Sequence, residues 1–385
     1  MNTDKIKKII QDSNLNFLIG SGLSAPYLSV LGNIEKLLTS LNEDRALTSS
    51  QKKLIRASIY KKFFDAVIEK NIEVFNNDKS ARCTLKHYEN FFSTVNKLLL
   101  VRRNKLISKQ VNIFTTNVDI CMEKSLELKG FEYNDGFSGR FLPKYDISNF
   151  KKSILKRSLH FENSSEIPIF NIIKLHGSLT WLRNPNKDNS IFCDVPLALV
   201  KEVSESKDDP LGDIFLDFNN DDTLDTLVKK LPGAIDESYF NDFINKYNKL
   251  AIVNPTKDKF RDTLLNQTYY DLLRIYSNEL EKENTLLFVM GFSFADEHIK
   301  ELTLRVANSN PTLLVIIIAY SEESTQEIKK NIDMSKLKNS NIKFIRPKII
   351  TDDDGNKKDE FLYNLNKINS NIFRPILRKV EAANE

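Results

Sequence analysis

His176 stands between an apolar, β-rich run, Phe170–Leu175, and Gly177, with the chain's single tryptophan, Trp181, close behind. An imidazole at a strand end can exchange a proton near neutral pH. A core histidine satisfied by a backbone carbonyl would fit the same pattern. A second apolar run ends in Phe114-Thr115-Thr116-Asn117-Val118-Asp119. Short polar residues there are costly to bury without partners, and open α/β sheets bind ligands at such carboxyl ends. Asn117 or Asp119 would equally serve to cap a helix starting near Ile120. A third run, Phe17-Leu18-Ile19, enters Gly20-Ser21-Gly22-Leu23-Ser24-Ala25. Gly20 suits a tight turn and Gly22 removes a Cβ that would obstruct a phosphate; a plain β–α turn needs the same glycines. The fourth, Val289-Met290, enters Gly291-Phe292-Ser293-Phe294-Ala295-Asp296-Glu297-His298. Ser293 and Asp296 fit a Ser-x-x-Asp capping box, and a capped helix N-terminus still offers N–H donors to a phosphate. His298 is expected to face solvent.

These segments need a scaffold that brings strand ends together. Asn16–Gly20, Val111–Thr115, Phe170–Leu175, Leu250–Val253, Thr285–Met290, Thr312–Ala319 and Asn341–Ile345 are apolar on consecutive positions. Such runs suit a parallel sheet covered on both faces. Helical patterns lie between them, clearest in Leu265, Tyr269, Leu272, Leu273, Tyr276 and Leu280 on one face. Gln51–Phe75 and Lys86–Arg103 are also helical in pattern. The expectation is an α/β fold: a Rossmann-like parallel sheet with helices on both faces, plus a smaller, mainly helical module built from insertions. Residues 1–40, 110–130, 165–182 and 249–350 would form the core, 41–109 and 131–248 helical or irregular insertions, and 351–385 a C-terminal segment. The acidic stretch Ser204–Glu237 lacks the turn glycine of a calcium loop and reads as a mobile surface insertion.

Composition narrows the function classes. Of 385 residues, 41% are hydrophobic and 28% charged, enough for a large core and too ordered for a disordered chain. Lys and Arg number 56 against 52 Asp and Glu, a net +4 too evenly mixed to imply nucleic-acid binding. The most basic stretch, with Arg102, Arg103, Lys105 and Lys109, reads as a solvated helix end. Cys83, Cys121 and Cys193 are too far apart for the CxxC half-site of a zinc knuckle, and an odd, sparse set argues against a disulfide framework and fits a reducing cytosol. Met1–Asn14 has no apolar core of a signal peptide, and the longest apolar run, Leu313–Ala319, is too short to span a membrane. Glycine is scarce at 11 residues, so its four appearances in the strand-end segments, at 20, 22, 177 and 291, point to close backbone approach to a ligand.

Taken together and in order, GSGLS, TTNVD, KLHGS and GFSFADEH resemble the signature blocks of the sirtuin-like NAD-consuming family. The branch they most resemble is the one found in bacterial anti-phage defence, including a standalone sirtuin-like protein that partners a HerA-type ATPase. The likeness covers about Asn16 to Ser321. Two departures matter: Pro26 is followed by Tyr27, Leu28 and Ser29 instead of Asp-Phe-Arg, and the four-cysteine zinc module after the His-Gly motif is reduced to Cys193. The resemblance therefore implies NAD+ as substrate, with no metal, and hydrolysis of its nicotinamide–ribose bond to nicotinamide and ADP-ribose. It implies Asn117 positioning water and ribose, His176 as general base, and Asp119 supporting their hydrogen bonds. Gly20, Ser21, Gly22 and Ser24 would hold the pyrophosphate, with Leu23, Thr116 and Asp296 in the same pocket. Gly291, Phe292 and Ser293 would line the ribose–phosphate side, and Ser321 would contact adenosine. An NAD-dependent protein deacylase and a non-catalytic NAD or ADP-ribose sensor are the alternatives. Regulation is expected from self-assembly into a homo-oligomer or from another defence protein.

Overall fold

The computed structural model describes residues 8–29, 32–102, 104, 106–160, 162–183, 190–207, 214–254, 267–351 and 357–382. Seven strands form the central sheet: β1 (Asn14–Ile19), β2 (Gln110–Thr115), β3 (Tyr133–Asn134), β4 (Ile169–Lys174), β5 (Thr285–Met290), β6 (Leu314–Ile318) and β7 (Ile342–Ile345). Their order is β7-β6-β5-β1-β2-β4-β3, and every neighbouring pair is parallel. All six residues of β4 and of β5 are buried, which is why these runs lack alternation. From β1 the chain builds outward through β2 to β4, then crosses back to β5 and builds outward the other way. The order thus reverses between β1 and β5, the switch point at which open α/β sheets form their ligand crevice.

Successive residues of β1 feed opposite layers. Phe17 joins the cluster that contains Phe91 of helix α1 (Arg82–Leu100), while Leu18 joins the cluster that contains Tyr276 of helix α3 (Gln267–Glu281). Between them in sequence lies α2 (Cys121–Lys129). Helices α4 (Glu297–Ser309) and α5 (Glu322–Asn331) complete the core. The predicted stripe is realised in α3, where Tyr269, Leu272, Leu273, Tyr276 and Leu280 are buried; Leu265 lies outside the described residues. Inside the sheet, Asn16, Asn112 and Asn171 face one another across β1, β2 and β4. Asn112 Nδ2 donates to Asn16 Oδ1 at 2.9 Å and Asn171 Nδ2 to Asn112 Oδ1 at 2.9 Å, a chain of amide hydrogen bonds that ties the three strands together.

The C-terminal segment belongs to this core. The Phe373 ring lies 5.0 Å from Phe288, 5.3 Å from Phe91 and 5.8 Å from Phe17, centroid to centroid. Phe373→Ala should therefore lower unfolding free energy by about 3–5 kcal/mol, read from the midpoint of urea unfolding. A change under about 1 kcal/mol would mean the segment docks without carrying the core.

Several sequence expectations change here. Leu250–Ile252 is not in the parallel sheet. It pairs antiparallel with Gly177–Arg183 in a second sheet that also holds Ile191–Cys193, Lys144–Tyr145 and Phe137–Ser138. A three-residue apolar run specifies burial and not direction, and strands this short show no period. Residues 131–248 therefore contain strands as well as helices. The acidic stretch is docked, not mobile, where it is described: Phe218 and Leu227 are buried, and Leu216 N–H donates to Ser58 Oγ at 2.8 Å on the helix Ser49–Phe63. Asp208, Asp209 and Asp213 lie outside the described residues. The basic stretch is not simply a solvated helix end either. Arg102 is buried, and its guanidinium donates to the carbonyls of Ile10, Ser13 and Ser108 at 3.1 Å each. Arg103 and Lys105 lie outside the described residues.

Candidate functional site

The parallel register brings Ile345, Ile318, Met290, Ile19, Thr115 and Lys174 to one row at the carboxyl edge. All four strand-end segments leave the sheet from this row. At the switch point, the Gly20 N–H donates to Met290 O at 3.0 Å and the Gly22 N–H to Gly291 O at 3.1 Å. A Cβ on Gly20 would fall 2.3 Å from the Gly291 carbonyl oxygen, and one on Gly291, at φ +63°, 2.7 Å from Leu23 N. Gly177, at φ +80°, would place a Cβ 2.0 Å from the Ala251 carbonyl oxygen. Contact between loops therefore already requires glycine at these positions. The Gly20 turn also leads into a three-residue turn, Ser21–Leu23, not a long helix, so no sizeable helix dipole points at a phosphate there.

Behind this loop lies a buried polar network. Ser24 Oγ donates to Asp119 Oδ2 at 3.1 Å, sits 3.0 Å from the Tyr88 hydroxyl, and accepts from Asn117 Nδ2 at 3.5 Å. Asp119 serves both readings: its Oδ1 accepts the Cys121 N–H at 3.0 Å at the start of α2, while Oδ2 faces Ser24. Asn117 does not cap the helix. Its N–H donates to Thr115 Oγ1 at 3.0 Å, and its Oδ1 is buried with no hydrogen-bond partner among the described residues. Burial and the Asp119 charge hold the Tyr88 hydroxyl well above the ordinary tyrosine range. Burial, then Asp119, does the same to the Cys121 thiol, which rules it out as a thiolate nucleophile. Lys174, the last residue of β4, is buried; it donates to the Asp119 carbonyl and pairs with Glu123 at 3.0 Å. Burial pushes the Glu123 carboxyl up, opposed by Lys174. Sequence reading missed this lysine, although a charge closing a mainly apolar strand was visible.

His176 is 6% exposed, and its Nε2 lies 3.9 Å from Asp296 Oδ1. The Ser293–Asp296 capping box is not formed: the residue preceding α4 is Asp296, whose carboxylate faces His176 instead of capping the helix. His298 is not in solvent. It is 5% exposed, with its ring centroid 5.7 Å from that of His176. Tertiary packing of the loop, which a capping motif does not encode, turns both side chains inward.

A cavity of about 430 Å³ opens beside the switch point. Gly22, Leu23, Gly291, Phe292 and Ser293 line it, joined by His87, Tyr320, Ser324 and Tyr363, which sequence reading did not single out. Burial lowers His87 below the ordinary histidine range, so it meets the cavity neutral at pH 7. Ser321 does not line the cavity; its hydroxyl accepts the Ser324 N–H at 3.0 Å and caps α5. Gly20, Ser21, Ser24, Thr116, Asn117, Asp119, His176 and Asp296 also lie outside the lining, and Ser24 connects the glycine loop to Asn117 and Asp119. Two wider depressions, of about 580 and 610 Å³, lie between α3 and α4 and at the opposite strand ends. The strand-order reversal favours the smaller one.

Fold and site together define a Rossmann-like α/β protein with a buried polar centre at its switch point. Residues 198–345, which include β5 to β7 and the Gly291–His298 loop, match the family described as SIR2-like domain. Among solved structures, one described as a Sir2 with deacetylated p53 peptide and 3′-O-acetyl ADP ribose is similar at 12% identity and a TM-score of 0.33, over 89% of this chain and 93% of that one. No curated protein matches the chain. Among the described residues, no helix is long and apolar enough to cross a membrane.

Proposed function

We propose that the chain is an NAD+ glycohydrolase that breaks the nicotinamide–ribose bond and releases nicotinamide and ADP-ribose. The observation that carries this reading is Asn117: its buried Oδ1 has no donor among the described residues, while its Nδ2 is tied to the Ser24–Asp119 pair. A buried acceptor of this kind is costly unless a bound molecule supplies the hydrogen, as a water or ribose hydroxyl does. The SIR2-like match supports NAD+ as that molecule.

Cleavage passes through an oxocarbenium-like state. The bonding pair of the C1′–N bond leaves with nicotinamide, and water held by Asn117 adds at C1′. His176 accepts the proton that the water or a ribose hydroxyl gives up. Asp119, through Ser24, keeps the Asn117 amide oriented. Phe292 and Leu23 give the neighbouring cavity apolar walls. Asn117→Ala should lower turnover by about 10²-fold while NAD+ affinity, read by calorimetry, stays within a few-fold. Loss of binding instead would make Asn117 a structural residue.

In the wider proposal the chain is the NAD-depleting effector of an anti-phage system, restrained through self-association or a HerA-type ATPase until triggered; the motif resemblance supports this placement. Comparing nicotinamide release from NAD+ with and without an acylated peptide tests the reading against a deacylase. Release without peptide is expected. Release only with peptide would overturn the hydrolase reading.

A further inference from the structure

We propose that His176, Asp296 and His298 form a binding site for a divalent transition metal of the zinc class, and that the bound ion silences NAD cleavage. The three side chains each offer one donor atom, and these atoms all lie within 4.8 Å of one another. His176 Nε2 is 3.9 Å from Asp296 Oδ1, and the two imidazole rings are 5.7 Å apart at an interplanar angle of 36°. In a tetrahedral zinc site, metal–ligand bonds of about 2.0–2.1 Å set donor atoms about 3.3 Å apart. Drawing these three together by up to about 1.5 Å is within the reach of side-chain rotation.

The donor chemistry is specific. Two imidazoles and one carboxylate suit zinc, cobalt or nickel, whereas magnesium and calcium prefer all-oxygen shells. Both histidines are buried, and the Asp296 side chain is only 14% exposed, so an ion there would be held away from competing water. His176 comes from the end of β4, and Asp296 and His298 from the start of α4, so separate rigid elements hold the donors. His298 also lines the cavity of about 580 Å³ between α3 and α4, which gives an ion an access path distinct from the NAD cavity.

The inhibitory consequence rests on the hydrolase reading. A histidine whose ring nitrogen donates its lone pair to a metal cannot accept a proton from water. Zinc at one equivalent should therefore stop nicotinamide release, and a chelator should restore it.

The binding test contains no NAD+. Chelator-treated protein is titrated with Co2+, and its visible d–d absorption is followed together with calorimetry. One equivalent should bind, and Asp296→Asn and His298→Gln should each weaken binding at least tenfold. His298→Cys should retain binding and add a thiolate-to-cobalt charge-transfer band, a gain of signal that a misfolded variant would not give. His160→Ala, at an exposed position, should leave the titration unchanged. No uptake by the wild-type chain, equal uptake by His298→Gln, or no new band in His298→Cys would overturn the site. Stoichiometric Co2+ binding by a protein that never cleaves NAD+ would sink the hydrolase reading and leave the metal site standing.

Discussion

Alanine at position 176 should slow NAD+ cleavage by at least about 10²-fold, because a general base contributes roughly 10² to 10⁴-fold. The structure makes this a clean substitution. His176 lies just past the end of β4, not within it, so the seven-stranded sheet keeps its ladder. Its backbone carbonyl accepts the Val253 N–H at 2.9 Å, a bond that alanine retains. The expected variant is folded, binds NAD+ within a few-fold of the parent, and is nearly inert. Unchanged turnover would remove His176 from the mechanism. A large fall in melting temperature would instead assign it to the core, the bland alternative visible from sequence.

The second large effect concerns stability. Gly177→Ala should destabilise the fold by about 2–5 kcal/mol. Two costs add: a side chain at φ +80° is strained by roughly 1–2 kcal/mol, and overpacking costs a further 1–3 kcal/mol or so. The new Cβ would fall 2.0 Å from Ala251 O and 2.7 Å from the Tyr269 hydroxyl. The first of these is backbone of the neighbouring strand Leu250–Ile252 and cannot swing aside. Gly233→Ala is the matched control, since nothing lies within 4 Å of its added Cβ. Urea unfolding of both variants checks the prediction; equal stability would mean the two strands separate easily at this point.

The parallel sheet was legible in the sequence because its strands, largely buried on both faces, read as mainly apolar runs without alternation. Six of its seven strands are recognisable in that way; the two-residue β3, Tyr133–Asn134, carries no pattern of its own. Strand direction was less legible. Leu250–Ile252 has the composition of a parallel core strand, and only its antiparallel partner Gly177–Arg183 reveals otherwise.

At the strand ends, Asn117, Asp119 and His176 stood out as polar residues in the sequence, but their side-chain directions did not. Asp296 and His298 sit in a helix-start pattern that local propensity assigns to capping and solvent, and tertiary packing turned them toward His176. The scarce glycines mark where strand-end loops pack together. They let the Gly20 and Gly291 loops meet backbone to backbone, and that contact shapes the cavity wall.

The most direct test of the account is a proton NMR time course of NAD+ with the purified chain and no peptide, run beside His176→Ala. The account predicts that free nicotinamide and ADP-ribose appear in equal amounts with the parent chain and are at least about a hundredfold slower with the variant. NAD+ that stays intact with both proteins, or nicotinamide released equally by both, would contradict it.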